Sequence, residues 1–346
     1  MKQFIPLQKL KKGDQVAVIS PSAGLPGLFP WIQDFGLERI RSEFGLVPKE
    51  YPTTREMGSS LEDRARDLMA AFTDPNNKAV ITTIGGHDQI KLIKHLDPEV
   101  FLKNPKPFFG YSDNTHVTNF LWNLGIPSYY GSAVLVQFAM NGQMHEFTKD
   151  YLTKALFESG EFELTASPEF NDIGINWEEK DRLSESRIME HNEGFVWDGS
   201  RDAKGILWGG CVESMIVQMS TGAFLPSAED LEGAVLYLET AEDIPEQWII
   251  EYLLIGMGER GWLKNFRGIL IGRPKVWEFN KQNSAQQKNA YKQEQRDVVL
   301  KTVREYNTDI PVIQNLDFGH TDPQVPLPSG KNCRIDSKNQ KIYLEF

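Results

Sequence analysis

Along the first part of the chain, short apolar runs alternate with segments whose apolar residues recur at helical spacing. Val16 to Ser20 reads as a strand, and Trp31, Ile32, Phe35, Leu37, Ile40 and Phe44 then mark a helix that Gly45 ends. Ser60-Leu61-Glu62-Asp63 resembles a capping box with Asp in the place of Glu, opening a helix that faces Leu61, Leu68, Met69 and Phe72 inward and closes at Asp74-Pro75. Ala79 to Ile84 is a β-branched run ending in Gly85-Gly86, followed by a helical pattern at Ile90, Leu92, Ile93 and Leu96. The cycle repeats once more with the short buried strand Pro107-Phe108-Phe109-Gly110 and the helix of Val117, Phe120, Leu121 and Leu124. This alternation predicts βα units on a parallel sheet.

Between Ser167 and Ala203 the periodicity gives way to acids, Asn and Gly, with Trp177-Glu178-Glu179-Lys180-Asp181 in the middle. This stretch reads as the connection between domains, with a functional lid as the alternative to a passive linker at this length. Beyond it, Lys204 to Trp208, Ala234 to Leu238, Gly268 to Ile271 and Pro311 to Leu316 read as strands. Pro245 to Met257 and Ser284 to Tyr306 read as helices, and Asn332 to Phe346 as a hairpin turning at Ser337-Lys338-Asn339-Gln340. Three segments result: residues 1–166, a connection at 167–203, and residues 204–346.

Length and composition narrow the function classes. At 346 residues two domains are expected, and 37 Lys+Arg against 48 Asp+Glu leave a net charge of −11. The basic footprint of a nucleic-acid binder is missing, as is one for an anionic membrane surface. Basic Lys2, Lys9, Lys11 and Lys12 are followed by no apolar targeting core, and apolar stretches such as Ala133 to Val136 are too short to span a bilayer. Two cysteines, Cys211 and Cys333, supply neither a disulfide framework nor a four-cysteine metal site. The expectation is a cytoplasmic protein, and the mechanism implied by the resemblance set out below requires no metal or organic cofactor.

The sharpest local feature is Phe108-Phe109-Gly110-Tyr111-Ser112-Asp113-Asn114-Thr115, a strand passing through Gly into Ser at the start of a helix. A nucleophile elbow has this context, exposing a hydroxyl beside helix N–H groups, although the second Gly of G-x-S-x-G is absent. The same residues are also good helix N-caps. A nucleophilic Ser needs a base and the base an orienting acid. Of six histidines, His320 stands just past a strand in a Gly- and Pro-bearing loop, His87 follows Gly85-Gly86, and His95, His116, His145 and His191 have no suggested partner. Ala234 to Leu238 ends in Glu239, an acid at a strand's carboxyl edge; Glu242 and Asp243 after it also fit the first turn of the next helix. Gly85-Gly86 lets backbone approach a ligand, as an oxyanion hole requires, or simply makes a tight βα turn.

Taken together, Ile84-Gly85-Gly86-His87-Asp88, Gly110-Tyr111-Ser112-Asp113-Asn114-Thr115, Leu238-Glu239-Thr240-Ala241-Glu242 and Phe318-Gly319-His320 closely resemble the LD-carboxypeptidase family of serine peptidases. Gly13 to Ser22, Leu207-Trp208-Gly209-Gly210-Cys211 and Ile271-Gly272-Arg273-Pro274 extend the resemblance over almost the whole chain. Leu-Glu-Thr around the acid and the greater length are more similar to the branch of the microcin C immunity peptidase than to the murein-recycling members. The resemblance implies an α/β fold: an N-terminal parallel sheet like that of class I glutamine amidotransferases (flavodoxin-like) and a C-terminal α/β domain with a β-barrel-like sheet. It implies a triad of Ser112, Glu239 and His320, an oxyanion hole of the Gly86 and Asp113 N–H groups, and a homodimer. Asp88, Trp177 and Cys211 are carried over as substrate-binding candidates, Cys211 standing where murein-recycling members tend to have Asn.

Three activities follow as expectations. The first is hydrolysis of the amide of a peptidyl- or aminoacyl-nucleotide through an acyl-enzyme. The second is release of D-alanine from a murein tetrapeptide, and the third, of another class, is sequestration of a ligand without turnover. Cysteine-dependent amidotransfer would need Cys at the elbow, where Ser112 stands.

Overall fold

The computed structural model describes residues 2–346. Five parallel strands form the first sheet: β1 (Gln15–Ile19), β2 (Val47–Glu50), β3 (Asn77–Thr82), β4 (Phe108–Gly110) and β5 (Ser128–Tyr130). Their spatial order, β5-β4-β3-β1-β2, is that of a flavodoxin-like doubly wound sheet. Helices α1 (Pro30–Phe44), α2 (Leu61–Thr73), α3 (Thr115–Asn123) and α4 (Glu146–Phe157) accompany it. Gly45 ends α1 in the left-handed conformation with φ of 65°, and Ser60 caps α2 by accepting the Asp63 N–H. The helix expected over Ile90 to Leu96 is only one turn, Ile90–Ile93, because Asp97-Pro98 restarts the chain as a second short helix at Pro98–Lys103.

The second sheet has eight strands: β6 (Glu161–Leu164), β7 (Val196–Asp198), β8 (Ala203–Cys211), β9 (Val235–Glu239), β10 (Gly268–Gly272), β11 (Val312–Leu316), β13 (Asn332–Asp336) and β14 (Lys341–Glu345); the intervening β12 (Leu327–Ser329) belongs elsewhere. The order is β6-β14-β13-β8-β9-β10-β11-β7, parallel from β8 to β11 and antiparallel at both flanks. Helices α5 (Val212–Thr221), α6 (Trp248–Glu259) and α7 (Ala285–Tyr306) cover it.

The halves exchange strands. β12, late in the chain, adds antiparallel to β5 at the edge of the first sheet, while β6, which precedes residue 166, lies in the second. One apolar core accordingly runs through both: Phe109, Tyr129 and Tyr130 share a cluster with Tyr237, Leu270, Phe318 and Leu327. The buried face of β8 and β9 supplies Trp208 and Leu236 to a second cluster under α6 and α7. Each fully buried large side chain of this kind contributes roughly 1.5–3 kcal/mol, so the interface is held as firmly as a domain interior.

In the connection, a two-residue ladder pairs Glu169–Phe170 with Glu190–His191, and Asn171 bridges to Asp322. Among the described residues no helix is long and apolar enough to cross a membrane.

Candidate active site

The carboxyl ends of the two parallel strand sets face one another, and the site is built there. β4 ends at Gly110, and two residues on Ser112 adopts φ of +63° before a short turn leads into α3. A non-glycine residue at that angle stores of order 1 kcal/mol of backbone strain, held here by its surroundings. Ser112 N–H donates to the Tyr130 hydroxyl at 3.2 Å, and the Ser112 carbonyl accepts Thr115 Oγ1 at 2.6 Å. Beside it the Gly85-Gly86 turn comes so close that a Cβ on Gly85 would stand 2.8 Å from Ser112 Cβ.

That turn is tied down by side chains that sequence reasoning did not single out. Gln89 donates to Ser22 Oγ at 2.9 Å and to Asn114 Oδ1 at 2.8 Å, and it accepts the Val117 N–H. Asn114 in turn donates to the Ile84 carbonyl at 3.2 Å. The Asp113 carboxylate points back into this network and accepts the Gln89 N–H at 3.0 Å; burial pushes its pKa up. Among the described residues the backbone N–H groups of Gly86 and Asp113 have no hydrogen-bond acceptor, so both remain available to a ligand oxygen.

Opposite, Glu239 ends β9 and is buried to 1% exposure. Its Oε2 lies 2.7 Å from His320 Nδ1, and its Oε1 accepts the Tyr130 hydroxyl at 2.5 Å. His320 follows β11 on a loop whose Gly319 has φ of +98°, and a Cβ there would reach to 2.5 Å from Glu239 Oε2. Only glycine admits both the angle and the approach. The Tyr111 ring stands edge-on to the imidazole at 5.0 Å. Hydrogen bonds thus run without a break from the Ser112 backbone through Tyr130 and Glu239 to His320. No hydrogen bond joins Ser112 Oγ to His320 among the described residues; His320 Nε2 is instead 3.0 Å from Glu242 Oε2.

Burial disfavours charge on His320, but Glu239 and Glu242 together override it and hold its pKa well above the usual histidine value. The charge on His320 conversely holds Glu242 down at about 2. Burial pushes the Tyr111 and Tyr130 phenols up. Tyr130, like Gln89, is a residue that sequence reasoning missed, since in Ser128-Tyr129-Tyr130 an aromatic strand residue reads as core and nothing local marks its hydroxyl; Glu242 reads only as a first-turn acid.

The remaining candidates are placed as follows. Asp88 is engaged by Arg64 at 3.0 and 3.1 Å, and Arg64 also holds the Pro21 and Ser22 carbonyls, so the pair braces the loop after β1. Cys211 is buried at the end of β8, paired in register with Glu239, and its Sγ is 3.1 Å from Glu213 Oε2. Trp177 packs edge-on to Phe29 at 5.4 Å within an apolar group that includes Ile84, and its carbonyl accepts Trp31 Nε1 at 2.9 Å. The connection therefore lays its aromatic residue against the first half, beside the Gly85-Gly86 turn. Among the described residues no group of three or more His, Cys, Asp or Glu side chains is arranged to share a metal ion.

Residues 16–131 match the model of the LD-carboxypeptidase N-terminal domain, and residues 204–335 that of the LD-carboxypeptidase C-terminal domain. YocD of Bacillus subtilis strain 168, assigned as a carboxypeptidase, is 28% identical over 97% of this chain and 98% of its own. The microcin C7 self-immunity protein MccF of Escherichia coli is 25% identical over 82% of this chain and 78% of its own. The MccF-like protein of Streptococcus pneumoniae, solved in complex with AMP, superposes with a TM-score of 0.82 at 26% identity, covering 96% of this chain and 99% of that one.

Proposed function

Because the chain belongs to the LD-carboxypeptidase family of serine peptidases, we propose that Ser112, Glu239 and His320 are its catalytic triad and that it hydrolyses the amide of a peptidyl- or aminoacyl-nucleotide. The observation that carries this reading is the hydrogen-bond path from the Ser112 backbone through Tyr130 and Glu239 to His320, assembled from two half-molecules at facing strand ends. In the mechanism, Ser112 Oγ attacks the amide carbonyl carbon while His320 takes its proton. Glu239 fixes the Nδ1–H tautomer and stabilises the imidazolium, and the Gly86 and Asp113 N–H groups receive the developing oxyanion. His320 returns the proton to the leaving amine, and water then cleaves the acyl-enzyme with His320 again as base.

The nucleotide class draws its support from the likeness to MccF and to a protein solved with AMP. Trp177 supports it further as an aromatic surface beside the Gly85-Gly86 turn on which a base can stack. We propose that the chain forms a homodimer through the apolar side chains exposed on α5 and α6, namely Val217, Trp248, Tyr252 and Ile255, with Tyr252 exposed to 63%.

The test incubates the protein with an aminoacyl sulfamoyl adenosine and with a murein tetrapeptide, following products by mass spectrometry. Release of the amino acid from the nucleotide conjugate is expected, with Ser112→Ala abolishing turnover and leaving ligand affinity nearly unchanged. D-alanine release from the tetrapeptide alone would replace the substrate class, binding without turnover by the wild-type chain would favour sequestration, and full activity of Ser112→Ala would remove Ser112 from the mechanism.

A further inference from the structure

The triad leaves one acid at the site without a part. Glu242 stands on the loop between β9 and α6, and the backbone of that loop is fastened on both sides of it. Ala241 N–H donates to both Glu213 carboxylate oxygens at 3.2 and 3.1 Å. On the other side, Lys281 Nζ donates to the Ile244 carbonyl at 3.1 Å and the Tyr291 hydroxyl to the Pro245 carbonyl at 2.6 Å. Between these points Glu242 and Asp243 are exposed, the Glu242 side chain to 51%. The backbone is pinned while the half-exposed carboxylate has water on its open side.

In the structure that carboxylate is turned inward, 3.0 Å from His320 Nε2. Nδ1 is committed to Glu239, so Nε2 is the nitrogen that has to take the Ser112 proton. An imidazole between two carboxylates keeps both N–H groups and has no lone pair to offer. The absence of a Ser112–His320 hydrogen bond among the described residues fits this state.

Resting on the triad reading above, we propose that Glu242 is a positioning residue that parks His320 as an imidazolium in the resting enzyme, and that entry of substrate turns the Glu242 side chain out, releasing Nε2 to Ser112. When Glu242 leaves, one of the two charges that hold the ring proton is lost; the proton passes to water, and the neutral Nε2 turns to Ser112 Oγ. The other groups around the ring do not compete for this role. Tyr111 packs against the imidazole, while Tyr130, Cys211 and Glu213 lie behind Glu239; burial pushes the pKa values of all four up. Asp322, two residues beyond His320, is paired with Arg187, and Lys275 near Glu242 is paired with Glu278.

The test measures the rate at which an uncharged fluorophosphonate modifies Ser112 across the stable pH range in wild type, Glu242→Gln and Glu242→Ala. In that reaction a Ser112 Oγ–P bond forms, the P–F bond breaks with loss of fluoride, and the hydroxyl proton goes to His320. No amide or nucleotide is involved, so the result stands apart from the substrate class. The wild-type rate is expected to rise with pH as His320 loses its proton. In both variants the rise moves to lower pH by about one unit, making them about tenfold faster than wild type below the wild-type rise. An NMR titration of the His320 ring follows the same shift without any reaction. Coincident profiles, or variants slower than wild type at every pH, overturn the proposal. Absence of labelling in wild type overturns the triad and this proposal with it, whereas failure to cleave nucleotide conjugates touches only the substrate class.

Discussion

Ser112 occupies a backbone angle that few residues other than glycine adopt, and the hydroxyls of Tyr130 and Thr115 together secure it there. The Tyr130 hydroxyl also donates to the buried carboxylate of Glu239, so one side chain fixes both the turn at Ser112 and the acid that holds the His320 ring. Tyr130→Phe removes both contacts and leaves Glu239 Oε1, deep in the interior, without its donor. A hydrogen bond to a charged group contributes about 1.5–3 kcal/mol, so steady-state kinetics of Tyr130→Phe are expected to give kcat lowered roughly ten- to a hundredfold, with little change in KM. An unchanged kcat would reduce Tyr130 to a packing residue. Cys211, although within the same group of buried side chains, has its thiol pushed well up by burial and is not a nucleophile at neutral pH.

At the scale of elements, the connection is an active part of the scaffold. Arg187 pairs with Asp322 at 2.6 Å, the two side chains 11% and 6% exposed, and Asn171 bridges the same Asp322 backbone, so the loop carrying His320 is anchored by residues far back in the chain. Arg187→Ala leaves the buried Asp322 carboxylate with only the long 3.3 Å hydrogen bond from Gln137 Nε2 and is expected to destabilise by about 3–5 kcal/mol, read as a lowered Tm together with lowered kcat; adding Asp322→Asn should return part of the stability. The βα units were legible because β-branched runs such as Ala79 to Ile84 and helical periods such as that of α1 alternate cleanly, and Gly45 and Ser60 mark helix ends by local chemistry. Strand ends also placed Ser112, Glu239 and His320. The rest depended on long-range packing: Glu242 reads as a first-turn acid, yet α6 begins only at Trp248, and the destination of Trp177 on Phe29 is written in no local pattern.

At the scale of the whole molecule, the exposed apolar face of α5 and α6 stands out on a chain of net charge −11. Tyr252→Glu combined with Trp248→Glu is expected to break the proposed dimer, read as a shift from dimer to monomer in sedimentation velocity, while leaving the secondary structure intact, since both side chains already lie in solvent; a wild-type monomer would remove the dimer proposal. The exchange of β12 and β6 bears on a different question, the ancestry of the gene. A recombination event swapping only the part after residue 204 must deliver a strand that fits the edge of a foreign sheet and accept a foreign strand at its own. Exchange of one half alone therefore carries a mismatch at two sheet edges, whereas a change in a loop such as the one bearing Glu242 disturbs neither.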